Sequence, residues 1–131
     1  MSWSEIVPDG PTFRAPLYSV GAKSPEGWVY TAGIVAIDET GKTVGIGDVR
    51  QQARHVIGII SEIVTKAGGT LADICFVQIF IKSYSDYAVF NEVYKEFFGA
   101  TGAAMPPRFC IKADLVKDEW LVEMTAVAIV G

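Results

Sequence analysis

The chain has 131 residues; half of them are apolar, 20% are charged, and 11 Lys and Arg stand against 15 Asp and Glu. This length is typical of one domain, so residues 1–131 are treated as a single domain. The apolar content excludes a disordered chain, and a net charge of −4 disfavours nucleic-acid binding because no basic excess is available to meet phosphates. A small monomer has a limited interior, so this composition predicts a buried subunit interface.

The sequence also restricts cellular location and metal content. Residues 1–5 lack the basic and apolar regions of a signal peptide, and no apolar run approaches the ~20 residues that span a bilayer. Cys75 and Cys110 are far apart and belong to no CxxC motif, which is typical of reduced thiols in the cytoplasm. With His55 as its one histidine, the chain has too few of the usual zinc ligands. We therefore expect a cytoplasmic protein with no membrane segment.

The first part of the chain is predicted to form strands and turns. Residues 1–27 are rich in Pro and Gly, and a short strand fits at 17–20. Residues 28–37 are β-branched and aromatic and predict a longer strand, followed by a turn and a possible returning strand at 43–46.

A helix is predicted between Asp48 and Gly68-Gly69. Asp48 is a favourable N-cap with Gln51 three residues later, and glycine readily takes the left-handed conformation that ends a helix. The apolar residues recur with the 3.6-residue period of one buried face. They are Val49, Ala53, Val56, Ile57, Ile60, Ile63, Val64 and Ala67.

Three more strands and a second helix complete the prediction. Residues 73–82 are predicted to form a strand. One of its faces carries Cys75, Val77, Ile79 and Ile81, and the other carries Ile74, Phe76, Gln78 and Phe80. Both faces are largely apolar, so both should be covered. The second helix starts near Ser85, and strands follow at 108–114 and 120–130 after a loop that contains Pro106-Pro107.

The resulting order, β-β-α-β-α-β-β, predicts an α+β fold: a mixed sheet with two helices on one face. No helix is left for the other face, although its side chains are apolar too. We therefore expect that face to meet another subunit.

Two features near the first helix carry little evidence for chemistry. Gly45-Ile46-Gly47 lacks the third glycine of a dinucleotide-binding motif, since Arg50 stands at that position, and we interpret it as a turn. His55 falls on the helix face opposite the apolar stripe, together with Gln52 and Ile59. A solvated or interface histidine is favoured there over a catalytic one.

Arg108 and Glu123 are the strongest candidates for a functional site. Arg108 stands at the entry of an apolar strand, and its planar guanidinium can bind a carboxylate through two hydrogen bonds. Glu123 lies on a largely apolar strand face, where a carboxylate requires a partner or a raised pKa. The alternative for each residue is a structural ion pair, or for Glu123 a solvent-facing position.

A hairpin between the last two strands would connect these residues. If its turn is centred at 116–117, Cys110 faces Glu123 on the opposite strand. Arg108 then faces Thr125 and shares the face of Glu123, unless the register slips by one residue. Cys110 beside a cation is either a reactive thiolate or, as is commoner in an apolar strand, inert packing.

Short motifs in a specific order cover nearly the whole chain. They are Tyr18-x-x-Gly21, Thr31-Ala32-Gly33, Gln52-Ala53-Arg54, residues 67–74, Asn91-Glu92-Val93-Tyr94-x-Glu96-Phe97-Phe98, Pro107-Arg108-x-Cys110 and Val122-Glu123-Met124. In this order they resemble the YjgF/Rid family of reactive-intermediate (enamine/imine) deaminases. Within that family, residues 54–56, 67–73 and 109–117 are most similar to the 3-aminoacrylate deaminases of pyrimidine degradation, the Rut pathway.

The resemblance implies a chorismate-mutase-like fold of the YjgF type, assembled as a homotrimer. The sheets would form a central barrel, and the active sites would lie between subunits. The implied reaction is hydrolysis of a small enamine or imine acid, of the 3-aminoacrylate or 2-aminoacrylate type, to the carbonyl acid and ammonia, with no metal or pyridoxal cofactor. Arg108 would bind the substrate carboxylate, and Glu123 would orient water and move protons.

The resemblance also implies four supporting residues. Backbone groups of Gly33 and Cys110 would hold the amine and the water. Tyr18 would close the pocket, in one arrangement from the neighbouring subunit, and Asn91 would support the site.

Three alternatives stay open. Residues 14–17 and the loop at 21–27 depart from the family pattern, which leaves room for another enamine acid such as 2-aminomuconate. A non-catalytic trimer that binds small ligands or acts like a chaperone is a second alternative. A peracid reductase that uses Cys110 is a third and weaker one.

Overall fold

Two α-helices lie on one face of a seven-stranded sheet in the computed structural model, which describes residues 2–131. The helices are α1 (Val49–Lys66) and α2 (Tyr87–Phe98), and across residues 2–131 neither is long and apolar enough to cross a membrane. The strands are β1 (Ser4–Ile6), β2 (Gly21–Lys23), β3 (Trp28–Thr31), β4 (Ile34–Val35), β5 (Ile74–Ile81), β6 (Arg108–Lys112) and β7 (Val122–Ile129). The predicted α+β class, with its mixed sheet and two helices, is confirmed.

The sheet is organised around β7. Its order is β1-β2-β3-β7-β5-β6, with β4 pairing β7 beyond the end of β3. β5 and β6 are parallel, whereas the other pairs are antiparallel. One side of β7 therefore bonds to β3 and β4, and the other side bonds to β5.

The ends of α1 follow the predicted signals. The Asp48 side chain accepts a hydrogen bond from the backbone N–H of Gln51 at 3.0 Å. At the other end Gly68 has φ +100°, a left-handed conformation that favours glycine. The buried residues of α1 include the predicted stripe and also Gln52 and Ile59, which we had expected on its outer face. The segment after β4 and the segment before β7 cover that outer face, as the hydrogen bonds of Gln52 described below show.

The predicted strand at 28–37 is interrupted at residues 31–33. Tyr30 pairs with Val127 and Ile34 pairs with Met124, so three residues stand opposite two on β7. The extra residue makes a bulge, a feature that re-aims side chains next to functional sites. The predicted short strand at 17–20 lies at 21–23 instead, and the strand proposed at 43–46 is reduced to one bridge, Ile37 to Thr43.

β5 also contains an irregularity, and it corrects the predicted faces. The register against β7 shifts between Ile74 and Phe76. Ile74 therefore joins Val77, Ile79 and Ile81 on the buried side, while Cys75 is only half-buried. The prediction placed Ile74 on the wrong face because strict alternation does not allow for a bulge.

The predicted hairpin between β6 and β7 is wrong. β5 lies between these strands, and it pairs with β6 in parallel and with β7 in antiparallel. Parallel neighbours require a crossover, and α2 supplies it by connecting β5 to β6. The two-strand register that we inferred from the turn at 116–117 therefore does not exist.

The second face of the sheet is apolar, and neither α1 nor α2 covers it. Phe109 of β6 contacts Phe76 and Phe80 edge-to-face, with ring centroids 6.2 and 6.0 Å apart. Tyr30 and Ile129 on the same face are about half exposed. This open face accommodates the apolar surplus of the composition, in agreement with the predicted uncovered sheet surface.

Candidate functional site

Glu123 projects from β7 onto the open face, next to β4. It pairs in register with Val35 on one side and with Phe80 on the other. Its side chain is half-buried, and no group among residues 2–131 donates a hydrogen bond to it or forms an ion pair with it. Burial raises the pKa of the Glu123 carboxyl, because the surrounding apolar groups disfavour its charged form.

Gly33 lies directly against this carboxyl group. A Cβ atom on Gly33 would collide with Oε2 of Glu123 and would stand 3.1 Å from its Cδ. The bulge at residues 31–33 and the missing side chain together allow the carboxyl to lie over the backbone. This close approach, and not a left-handed backbone conformation, explains the glycine at position 33.

A cleft of about 570 Å³ opens beside Glu123 and Gly33. Its walls include Phe13, Tyr18, Ile37, Val116, Lys117 and Trp120. A recess of about 30 Å³ adjoins it and shares Tyr18 and Gly33 as lining residues. That recess is large enough for one water molecule. The cleft thus combines apolar walls with one carboxyl group and one ammonium group, a composition typical of small-molecule sites.

Arg108 lies at the start of β6 and is directed towards α2. Its Nη2 donates hydrogen bonds to Oδ1 of Asn91 at 2.7 Å and to the hydroxyl of Tyr87 at 3.3 Å. The guanidinium carbon is 4.5 Å from the ring centroid of Tyr94, which is a cation–π distance. Nη1 is buried and has no hydrogen-bond partner among the described residues. Arg108 is therefore held in place on one side while a strong donor is left unused on the other.

Arg108 and Glu123 lie on opposite faces of the sheet. Arg108 pairs in register with Val77 and Cys110 pairs with Ile79, so both residues share the helix-facing side. Glu123 pairs with Phe80, whose side chain belongs to the open face. The expected common face of Arg108, Cys110 and Glu123 is thus wrong within one chain, because the registers of β6 and β7 against β5 place their side chains on different faces.

The structure groups the predicted site residues into two sets. Tyr18, Gly33 and Glu123 line the cleft described above. Asn91 and Arg108 line a second hollow of about 420 Å³, which also includes Tyr94. Each set contains one group that can carry a charge: a carboxyl in the first set and a guanidinium, of the opposite charge, in the second.

Cys110 belongs to neither hollow. Its half-buried side chain packs against the core, and burial raises the pKa of the thiol, although the charge of Arg108 partly opposes this effect. A raised pKa favours the thiol over the thiolate, so the inert-packing interpretation of this side chain is preferred over a reactive one.

His55 has a structural contact that the sequence did not indicate. Its Nε2 lies 2.7 Å from the carbonyl oxygen of Ile37, to which the ring N–H donates. Ile37 lines the cleft, so His55 ties α1 to one cleft wall. The residue is partly buried and bonds to a backbone carbonyl, so it is not the solvated histidine that was one of the two expected possibilities.

Gln52 connects α1 to the opposite cleft wall. Its side chain is fully buried, and its Nε2 donates to the carbonyl oxygens of Gly45 at 3.1 Å and Glu119 at 2.9 Å. Its Oε1 accepts from the backbone N–H of Leu121 at 2.8 Å. Sequence reasoning noted the Gln52-Ala53-Arg54 motif but missed this role. Its position one helical turn before Val56, a member of the apolar stripe, was the available signal.

Comparisons with known proteins agree with this architecture. The family model described as endoribonuclease L-PSP matches residues 12–130. A 3-aminoacrylate deaminase, RutC, from Acinetobacter baylyi is 39% identical over 124 residues, which is 94% of either chain. The crystal structure of TdcF from E. coli with bound serine is 29% identical with a TM-score of 0.87, and covers 98% of this chain and 99% of that one. YyfA of the Rid family from Yersinia pestis, 26% identical, has a TM-score of 0.88 with the same coverage.

Proposed function

The chain belongs to the endoribonuclease L-PSP family, also called YjgF/Rid, and on that premise we propose that it hydrolyses a small enamine or imine carboxylic acid to the carbonyl acid and ammonia. The similarity to a 3-aminoacrylate deaminase supports acids of the 3-aminoacrylate or 2-aminoacrylate type. The products would be malonic semialdehyde or pyruvate. A net charge of −4 and the single ammonium group of the cleft give no support to RNA cleavage.

The observation that carries this proposal is the half-buried carboxyl of Glu123, which has no hydrogen-bond or ion-pair partner within residues 2–131 and lies in a cleft with room for a substrate and a water molecule. A carboxyl group with a raised pKa holds a proton closer to neutral pH than an exposed one does. It can therefore both donate and accept a proton during one turnover. An imine carbon is electrophilic and can be attacked by water, and this hydrolysis changes no oxidation state, so the reaction requires no electron acceptor.

Glu123 alone can donate and accept every proton that the reaction moves. Protonated Glu123 gives its proton to the enamine carbon, which forms the iminium ion. Water then bonds to the iminium carbon while the Glu123 carboxylate accepts a proton from that water. Glu123 next returns the proton to the nitrogen, the C–N bond breaks and ammonia leaves. The new carbonyl group loses its proton to Glu123, which restores the starting state.

Arg108 is proposed to bind the substrate carboxylate. Asn91 and Tyr87 occupy its Nη2, and its buried Nη1 has no partner within residues 2–131, so the N–H groups of Nη1 are the donors left for a carboxylate. Within one chain it lies across the sheet from Glu123. We therefore propose that Arg108 and Asn91 of one subunit meet Tyr18, Gly33 and Glu123 of a neighbour.

The open face supports such an assembly. Its phenylalanines and half-exposed aliphatic and aromatic residues would be covered if sheets from different subunits packed together. A homotrimer with a central barrel is the arrangement that we propose. The backbone of Cys110 would contribute to the water or amine site, while its thiol stays in the core.

The first test measures ammonia release from an enamine generated in solution by a serine dehydratase. Arg108→Ala should lower kcat/KM by about 100-fold, mainly through KM, because a charge-assisted contact to a carboxylate is worth about 1.5–3 kcal/mol. Arg54→Ala is the matched control, since Arg54 pairs with Glu96 on the exposed surface of the helices. Full activity of Arg108→Ala would exclude the carboxylate-binding role.

The second test asks whether the site is shared between subunits. At substrate concentrations below KM, Arg108→Ala and Glu123→Gln alone should each keep no more than about 1% of the wild-type rate. Mixed oligomers assembled from equal amounts should recover about a quarter of the wild-type rate, since some interfaces then combine two intact residues. No recovery in verified mixed oligomers would contradict the shared site.

A further inference from the structure

Thr31 makes two side-chain hydrogen bonds at the bulge of residues 31–33. Its hydroxyl accepts from the backbone N–H of Ala126 at 3.0 Å and donates to the carbonyl oxygen of Ala32 at 2.8 Å. Both bonds are partly buried. In a regular antiparallel ladder a backbone carbonyl would accept from such an N–H group. The Thr31 hydroxyl therefore replaces a backbone partner of β7 at the bulge.

Two pairing registers of β7 meet at Ala126. The register of β3 against β7 would place Thr31 opposite Ala126, whereas the register of β4 would place Ala32 there. The Thr31 hydroxyl bonds to Ala126 and to Ala32 at the same time. It therefore holds the chain at the point where the extra residue of the bulge is accommodated.

Other contacts hold the two sides of the bulge. The backbone N–H of Ala32 donates to the carbonyl oxygen of Val20, just before β2, at 2.8 Å. Ile34, the first residue of β4, is buried in the core. A slip of β4 by one residue would turn Ile34 to the opposite face, so the core preserves the register of this strand. Loss of the Thr31 hydroxyl should therefore loosen the bulge without removing it.

The path of the bulge affects the position of the Glu123 carboxyl. Gly33 is the last residue of the bulge, and a Cβ atom there would collide with Oε2 of Glu123. Val35, two residues further on, pairs with Glu123. Because the carboxyl lies against this backbone, a small displacement of residues 31–33 changes the space that it can occupy.

We propose that Thr31 is a positioning residue of the candidate site: its hydroxyl fixes the bulge at residues 31–33, and the bulge sets the position of the Glu123 carboxyl. The inference rests on the proposed deamination for the reaction that this carboxyl serves. The placement of the carboxyl depends only on contacts within one chain. The two ideas can therefore be tested separately.

The charged surroundings of Glu123 do not include Thr31 or its partners. The other titratable groups that line the cleft are Tyr18, from the segment before β2, and Lys117, from the segment before β7. The proposed assembly adds Arg108 of a neighbouring subunit. Val35 and Phe80, the residues paired with Glu123 on β4 and β5, are apolar. A change at Thr31 should therefore reach the carboxyl through the backbone and not through a charge.

The first measurement follows the Glu123 carboxyl without any substrate. The assembled protein is labelled with ¹³C at the side-chain carboxyl of glutamate, and the NMR signal of Glu123 is identified by its loss in Glu123→Gln. Thr31→Val replaces the hydroxyl by a methyl group and should move this signal. Burial raises the pKa of Glu123, so a carboxyl that water reaches more easily should titrate at a lower pH. Thr31→Ser keeps the hydroxyl and should match the wild type.

The second measurement is ammonia release. Thr31→Val should lower kcat about tenfold, which is less than the roughly 100-fold cost of a misplacement of about 1 Å. KM should change by less than about twofold, because the proposed carboxylate contact at Arg108 is intact. Thr31→Ser should restore kcat. Thr70→Val is the matched control, since the Thr70 hydroxyl also accepts from a backbone N–H, that of Ala72 at 3.2 Å, and lines neither hollow.

The outcomes separate the positioning role from the deamination. An unmoved Glu123 signal in Thr31→Val, or a Thr31→Ser variant that behaves like Thr31→Val, would overturn the positioning role. An equal loss of kcat in Thr70→Val would overturn it too. Thr31→Ala is measured alongside, because it removes the hydroxyl without placing a new methyl group at the bulge. If the wild type releases no ammonia while the signal moves in Thr31→Val and returns in Thr31→Ser, the deamination is contradicted and the positioning role is supported.

Discussion

Gly33→Ala should move the carboxyl group of Glu123 and leave the stability of the fold almost unchanged. The added Cβ would point at the Glu123 carboxyl and meet its Cδ at 3.1 Å and its Cγ at 3.5 Å. Position 33 has no positive φ, so alanine fits the backbone without strain. The obstacle is the end of a side chain that projects into a cleft, and that end can move.

The required displacement sets the expected loss of activity. Ordinary contact with a Cβ begins at 3.4 Å, so the carboxyl carbon must retreat by about 0.3 Å and Oε2 by about 1 Å. A misplacement of about 1 Å at a reacting group costs on the order of 100-fold in rate. We expect kcat for ammonia release to fall by that factor, while the free energy of unfolding changes by less than about 1 kcal/mol.

A double-mutant cycle with Glu123→Gln tests this reasoning. If Gly33→Ala acts by moving the carboxyl, it should add no further loss of activity once that carboxyl is replaced. Gly58→Ala in α1 is the control for adding a methyl group, because a Cβ there meets nothing within 4 Å. Normal activity of Gly33→Ala, or additive losses in the double variant, would refute the proposed coupling.

Three further predictions concern Glu123, Gln52 and the open face. Burial raises the pKa of Glu123, so between the ordinary glutamate pKa and the raised one the folded state holds a proton that the unfolded state has lost. The free energy of unfolding should therefore fall as pH rises through this window. Urea titrations at several pH values should show a flatter pH dependence for Glu123→Gln. Gln52→Leu leaves the backbone carbonyl of Glu119 and the backbone N–H of Leu121 without this partner, whereas the carbonyl of Gly45 keeps its bond from the N–H of Asp48. The substitution should cost about 3 kcal/mol in urea unfolding, and a loss below about 1 kcal/mol would contradict the role given to these hydrogen bonds. Phe80→Lys places a charge on the open face and should prevent the subunits from associating. The variant should sediment as a monomer and should have no activity, whereas an active monomer would disprove the shared site.

The helix boundaries were predictable because local signals encode them. The side chain of Asp48 and the left-handed Gly68 act within a few residues of their positions in sequence, and the predicted α1 is confirmed. The apolar open face also followed from sequence, since strand alternation showed more apolar surface than two helices can cover. These features depend on periodicity and caps, which a single sequence displays directly.

Strand neighbours were not predictable in the same way. A strand such as β6 does not show in its own residues whether it pairs with β5 or β7, and the pairing decides which side chains share a face. The bulges at residues 31–33 and at Cys75 likewise depend on the facing strand. The residues of the candidate site were therefore proposed one by one from the sequence. The structure was needed to show that one set of them lines the Glu123 cleft, another set lines the Arg108 hollow, and Cys110 lines neither.

The central position of β7 has a consequence for how the chain reaches this fold during synthesis. β3 and β4 precede α1, β5 and β6 follow it, and β7 joins both groups although it is the last strand to be made. Until residues 122–129 have emerged from the ribosome, neither group can complete its sheet. Unpaired strand edges and apolar surface are exposed during that interval, and such edges attract other chains. We expect the growing polypeptide to depend on chaperones until β7 is inserted.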